Sequence, residues 1–195
     1  LVTAEAYDIP ARLVLSKTDI YNEKELESVN ALKDTYSAIG YPVSFFSKEN
    51  KEDVHTLKKL MTGKVSMLSG HSGVGKSSLL KSMAPELNIS IGKLSESYRT
   101  GQHTTTFAEL FTIENDIHVI DTPGVRAFGV IDFDVRFLSH YFPEMAARMH
   151  DCKFSDCLHI NEPKCAIKNA VVTGGRRSKR YKSYISIFEE EKTQN

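Results

Sequence analysis

The chain has 195 residues, 41% of them hydrophobic and 26% charged, a composition that suits a globular protein able to bury a sizeable core. Its 25 basic and 25 acidic residues cancel to a formal net charge of zero. The chain as a whole therefore has no electrostatic pull on nucleic acid, and any such contact must come from a local patch. No apolar run approaches the roughly 18–20 residues that span a bilayer, and no basic, apolar leader opens the sequence, so a cytoplasmic protein without membrane contact is expected.

Short apolar runs that alternate with helical periodicity predict an α/β fold. Leu13 to Leu15 reads as a buried strand. Asn22 and Glu25 spell a capping box, after which Leu26, Val29, Leu32, Tyr36 and Ile39 recur at helical spacing until Gly40. Val43 to Phe46 is the next strand, and Val54, Leu57 and Leu60 mark a helix behind it. Val65 to Leu68 is a third strand, and the helix beyond it ends near Ala84-Pro85. Residues 86–106 are polar, rich in Ser, Thr and Gly, and expected to be mobile. Phe107 to Ile113 and Ile117 to Ile120 flank Glu114-Asn115-Asp116 and predict an antiparallel hairpin. Past Asp132 come a helical stretch, a cysteine cluster, a Gly174-Gly175 break and a last helix. These shifts suggest two domains, 1–138 and 139–195.

Gly70, His71, Ser72, Gly73, Val74, Gly75, Lys76 and Ser77 fit G-x-x-x-x-G-K-[ST] at every fixed position. Glycine lets the backbone curl until successive N–H groups point inward at phosphate oxygens. Lys76 then reaches the β- and γ-phosphates, Ser77 offers its hydroxyl to Mg²⁺, and the helix that follows adds its positive end. An apolar strand before the string and Leu79-Leu80 after it argue against a mere glycine-rich turn. Asp121-Thr122-Pro123-Gly124 follows the strand Ile117 to Ile120. Downstream of a phosphate loop, Asp121 suits Mg²⁺ held through water and the Gly124 N–H suits sensing of the γ-phosphate.

Ser16-Lys17-Thr18-Asp19 closes the first strand and fits [NTS]-K-x-D. Asp19 can accept both the N1–H and the 2-amino hydrogens of guanine, which adenine does not offer, so adenine would leave the carboxylate unpaired. The Lys17 stem would lie along the purine face. This argument also disfavours a phosphate-loop kinase or ATPase. Asn50-Lys51-Glu52-Asp53 spells a rival motif, but it lies well past its strand rather than at the strand's end. The first-position Ser16 lacks the two donors of an asparagine amide, which weakens the bracing expected of this loop.

Base reader before phosphate loop is the reverse of the ordinary GTPase order, and no K-x-D follows Asp121; a circular permutation keeps the site while changing chain order. The strings SKTD, GHSGVGKSS (to Ser78), GQHTTT (Gly101 to Thr106), DTPG and the cysteine segment, in that order, resemble the RsgA (YjeQ/EngC) family of GTPases that depend on the small ribosomal subunit. The resemblance implies a circularly permuted P-loop GTPase with a mostly parallel sheet flanked by helices, and a small C-terminal zinc-binding helical module. It implies GTP and GDP with Mg²⁺ as ligands, Ser47 and Lys48 lining the base pocket, and the small (30S) subunit with its 16S rRNA as partner in late maturation. A monomer is expected. The family's N-terminal OB-fold is not expected within these 195 residues. A permuted sheet also needs a strand ahead of the base reader, whereas Leu1 to Pro10 reads as the tail of a helix, so the polypeptide is expected to continue upstream.

Residues 101–106 are expected to form the first switch, with one of Thr104, Thr105 and Thr106, Thr105 being the candidate, capping Mg²⁺. The position after D-x-x-G holds Val125, which cannot orient water as a glutamine does, so intrinsic turnover should be slow. His103 is the candidate for that role and His71 a weaker one, although His103 also reads as a solvated loop residue.

Cys152, Cys157, His159 and Cys165 offer three thiolates and one imidazole, the Cys₃His set of a structural zinc site holding one ion per chain. His150 is the nearby alternative ligand. Arg176, Arg177, Lys179, Arg180 and Lys182 lead into the last helix, whose packing stripe is Tyr181, Tyr184, Ile185 and Phe188, with Glu189 to Glu191 at its end. That layout opposes the helix dipole and suggests phosphate contacts with RNA; a solvated face is the plainer reading. A second function class follows: an RNA-binding zinc module with a nucleotide-gated, weakly catalytic P-loop domain.

Overall fold

The computed structural model describes residues 1–71, 73–85, 109–114, 116–121, 134–174 and 178–194. They fall into two compact units. A phosphate-loop unit comprises Leu13–Val29 and Val43–Gly129, and a cysteine unit comprises Leu1–Arg12, Asn30–Pro42 and Val130–Asn195.

In the phosphate-loop unit, β1 (Leu13–Ser16) pairs in parallel with β2 (Val43–Phe46), Leu13 facing Val43 and Ser16 facing Phe46. Parallel neighbours need a crossover, and the chain supplies α2 (Glu23–Ala38). Its capping box forms as predicted: the Glu25 N–H donates to Asn22 Oδ1 at 3.0 Å and the Asn22 N–H to Glu25 Oε2 at 2.9 Å. Gly40 ends the helix at φ 100°, a left-handed conformation that glycine takes without strain. The apolar stripe fares less well. Leu26 and Leu32 are each 37% exposed, and no residue of α2 is buried among the described residues.

Next come α3 (Lys51–Met61), β3 (Lys64–Met67), α4 (Lys76–Met83), β4 (Glu109–Glu114) and β5 (Ile117–Asp121). Strand order is β3-β5-β4, with β3 parallel and β4 antiparallel to β5, so the predicted hairpin is present. A register shift between Thr112 and Glu114 marks a bulge. Central β5 is the most protected: Ile117 and Val119 are 2% and 1% exposed. Leu57 from α3 and Leu79, Leu80 and Met83 from α4 complete that core, together with Phe46 and Ile113. These two helices are thereby fixed beside the ends of their strands, where the functional loops emerge. Among the described residues β1-β2 and β3-β5-β4 are separate sheets.

The cysteine unit is helical. It contains α1 (Val2–Ala6), a 3-10 helix (Val135–Tyr141), α5 (Pro143–Ala146), a 3-10 turn (Met149–Asp151), α6 (Ala166–Gly174) and α7 (Ser178–Gln194). Leu138, Phe142, Met145, Ile167, Tyr184 and Phe188 are buried together, with Val2 and Val135 packed against them. Phe142 and Tyr184 meet edge to face, at 5.6 Å and 87°. No described helix is long and apolar enough to cross a membrane.

Candidate nucleotide site and metal loop

The phosphate loop leaves β3 and enters α4. Gly73 (φ 78°) and Gly75 (φ 105°) hold left-handed conformations that a side chain would strain. Lys76 folds across the loop, donating its ammonium to the carbonyls of Gly70 and His71. Ser77 follows in the first turn of α4, half-buried, and the Leu79 N–H bonds to the Gly75 carbonyl at 2.9 Å. Ser78 is exposed on the same helix.

The Ser16–Asp19 segment is bonded to that loop. The Ser16 hydroxyl donates to the Val74 carbonyl, so serine keeps one brace. A Cβ placed on Gly75 would lie 3.6 Å from Ser16 Cβ, which shows how closely the two segments run. Lys17 takes φ 63°, a left-handed conformation that costs about 1 kcal/mol or more. The Tyr21 hydroxyl closes the turn on the Ser16 carbonyl at 2.9 Å.

Asp19 lies in solvent beside the end of β2. The Ser47 hydroxyl, its own backbone N–H and the Lys48 ammonium hold its carboxyl below the usual range, so at neutral pH it is an acceptor only. The rival motif serves structure instead. Asn50 caps α3 by accepting the Glu52 N–H at 3.0 Å, and Asp53 accepts the Ser47 N–H at 2.9 Å and the Asn50 amide at 3.0 Å. Asp53 thus braces Ser47, a role the sequence reading missed. The signal was there, an acid three residues after a cap.

The backbone of Asp121 ends β5, whose Met67–Ile120 pairing with β3 brings that end to the phosphate-loop strand. The Asp121 side chain, Ser72, Gly124, Val125, His103, Thr104, Thr105, Thr106, Arg176 and Arg177 lie outside the described residues.

The cysteine unit holds a second, buried constellation. One donor atom from each of Cys152, Cys157, His159 and Cys165 lies within 4.8 Å of the others. Cys152 and Cys165 Sγ are 3.9 Å apart, and His159 Nδ1 is 3.6 Å and 3.4 Å from them. Tetrahedral zinc with Zn–S near 2.3 Å and Zn–N near 2.0 Å sets such edges at about 3.5–3.8 Å, so the donors fit the ion with Nδ1 facing it. Without a cation, burial pushes the Cys157 thiol up to about 12. Burial also lowers the His159 imidazole, favouring the neutral form that a metal needs. The N-terminus of α6 points two N–H groups at sulfur, Ala166 to Cys152 at 3.4 Å and Lys168 to Cys165 at 3.5 Å. His150 stands outside the cluster, exposed beside Asp151.

Three residues that build this loop escaped the sequence reading. Glu162 accepts the N–H groups of Leu158, Ile160 and Asn161 at 2.9–3.1 Å. Although burial raises its pKa, these backbone donors outweigh that and leave it lowered. The Tyr181 and Tyr184 hydroxyls, which looked like plain packing residues, donate to the carbonyls of His159 and Leu158 at 2.7 Å and 2.6 Å. The basic run needs a correction as well. Arg180 is 8% exposed and paired with Glu144, so it is not free for phosphate, whereas Lys179 is exposed. Burial in an aromatic setting beside a carboxylate outcompetes solvent here.

Comparison with known proteins agrees with this geometry. A family model described as RsgA GTPase matches residues 1–131. "Small ribosomal subunit biogenesis GTPase RsgA" of Christiangramia forsetii is 47% identical over 98% of this chain and 61% of its own length. The structure of YjeQ from Thermotoga maritima superposes with TM-score 0.79 at 35% identity, over 97% of this chain and 62% of that one. YloQ, described as a circularly permuted GTPase, gives TM-score 0.75 at 28% identity, over 100% of this chain and 61% of that one. The chain thus spans roughly three fifths of the length of these relatives.

Proposed function

The chain belongs to the RsgA GTPase family, and from that premise we propose that it binds GTP and hydrolyses it to GDP and phosphate, stimulated by the small ribosomal subunit during its late maturation. The observation that carries the guanine part is the bond from Ser16 to the phosphate loop, with Asp19 ionised beside Ser47 and Lys48 on the same segment. In this reading Asp19 accepts the two guanine N–H edges, Lys17 and Lys48 flank the base, and Lys76 exchanges its carbonyl partners for the β- and γ-phosphate oxygens. Ser77 and Asp121 hold Mg²⁺, which neutralises charge developing on the phosphates. Thr105 closes the first switch and His103 orients the attacking water. The Cys₃His set holds one structural zinc ion, and the rest of the basic run, Arg176 and Arg177 with exposed Lys179 and Lys182, contributes the 16S rRNA contacts left after Arg180 is discounted. A cytoplasmic monomer suits these roles.

Val125 after D-x-x-G favours slow turnover by the protein alone, which keeps the reading of a weakly catalytic, nucleotide-gated RNA-binding module as the competitor. Steady-state GTP hydrolysis with and without purified small subunits, beside a Lys76→Ala control, separates the two. Strong stimulation abolished by Lys76→Ala supports the enzyme. Nucleotide binding without stimulated turnover supports the module. Competition of ATP against GTP checks base identity.

A further inference from the structure

Arg180 is a buried cation that neither the nucleotide site nor the metal loop uses directly. It sits in the first turn of α7 and donates Nε to Glu144 Oε1 at 2.8 Å and Nη2 to Glu144 Oε2 at 3.1 Å. The rings of Phe142, Tyr36 and Tyr41 surround its guanidinium at 4.8, 5.4 and 5.8 Å. A planar fork that pairs with a carboxylate while resting on aromatic faces is chemistry that arginine performs and lysine does not.

What this cation grips gives it a role beyond packing. Tyr36 and Tyr41 bracket the turn that leaves α2, and the Tyr41 N–H bonds to the Tyr36 carbonyl at 3.0 Å across it. That turn lies in the cysteine unit, yet both segments running into it begin or end in the phosphate-loop unit. On one side α2 starts just after Asp19, and on the other β2 runs directly into Ser47 and Lys48. The clamp therefore grips the turn of chain that lies between the two halves of the base-reading set in sequence. The neighbour of Arg180 on α7, Tyr181, holds the carbonyl of His159, and Tyr184 one turn on holds that of Leu158. One helix grips the metal loop and the turn together.

We propose that Arg180 is a positioning residue through which α7 couples the metal loop to the base-reading segments, so that zinc occupancy and guanine-nucleotide affinity are linked. The inference rests on the nucleotide reading above. Linkage is reciprocal: if zinc tightens GDP binding, GDP tightens zinc binding by the same factor. The coupled element is the α2–β2 turn, held in one position when α7 is seated on an ordered metal loop.

The test measures zinc transfer from the loaded protein to a chromogenic chelator, with and without saturating GDP. GDP binding to each protein is confirmed separately by titration calorimetry. In the wild type GDP should tighten zinc retention about fivefold or more, the lower range of allosteric coupling. Arg180→Met should bring that ratio close to one while the protein still takes up one zinc per chain, and Arg180→Lys should restore only part of it. If Arg180→Met does not fold, Tyr181→Phe decides, since it removes one hydroxyl from the His159 carbonyl and should also lower the ratio. A wild-type ratio of one with GDP bound overturns the coupling, and a ratio unchanged in Arg180→Met, or in Tyr181→Phe when that variant decides, overturns the pathway through α7. Absence of GDP binding in the wild type overturns the nucleotide reading itself, a separate result.

Discussion

The two sites of this chain are built on opposite physical terms. In the metal loop, Cys165 and His159 are 2% and 1% exposed, and their neighbours are tied down by Glu162, two tyrosine hydroxyls and the start of a helix. In the nucleotide site, Asp19 stands in solvent, and Lys76 bonds to carbonyls of its own loop. The first site is assembled in the fold and resists change. The second is a set of backbone curves and charges that, on the proposed reading, a polyanion would complete. Stability should therefore respond strongly to damage at the metal loop and weakly at the nucleotide loops, with ligand affinity responding the other way.

The largest effect should come from the metal. Chelation, or Cys165→Ser, leaves buried thiols and a buried imidazole without their ion, and the cysteine unit should lose several kcal/mol, enough to unfold it near room temperature. Circular dichroism with zinc analysis checks this; a unit that keeps its full helicity without metal would break the contrast. Leu57→Ala, in the core shared by α3 and α4, should destabilise the phosphate-loop unit by about 2–5 kcal/mol in denaturant melts. Zinc content should stay at one per chain in that variant.

Acid should separate the sites in a graded way. His159 has its folded pKa lowered by burial, so the unfolded chain binds its proton more readily. Stability is then retained above the unfolded value of about 6.5 and falls as pH drops from there toward the folded value. Proton competition for the metal ligands acts in the same direction. Thermal melts from pH 7.5 to 5.5 should show the cysteine unit weakening. The smallest effect should be Ser16→Ala, which removes a single hydroxyl brace: GDP affinity should fall a few-fold, about 1 kcal/mol, with the melting temperature nearly unchanged.

What the sequence disclosed follows the same division. The phosphate loop was legible because its chemistry is done by backbone, which demands glycine at fixed places, and the capping box at Asn22 and Glu25 was legible because it is local. The Cys₃His cluster was legible from spacing alone, since three thiols and an imidazole within fourteen positions suit a shared metal better than separate packing. What stayed hidden depends on partners distant in sequence. Nothing near Arg180 announces Glu144 or Tyr36, so a basic run read as a phosphate-contacting patch even though one of its members is buried. The stripe on α2 misled in the opposite sense: periodicity reports a potential face but not whether the described chain covers it.

Guanine recognition by Asp19 is the claim on which the functional account turns, and a change of base partner tests it most directly. GDP and xanthosine diphosphate differ at the 2-position, an amino donor in one and a carbonyl acceptor in the other. Dissociation constants for both nucleotides should be measured by calorimetry on the wild type and on Asp19→Asn. The carboxylate should favour GDP by about a hundredfold or more, and the amide, which can donate, should reverse that order while the fold and zinc content stay intact. Equal affinities for the two nucleotides in the wild type, or an unchanged preference in Asp19→Asn, would contradict the account.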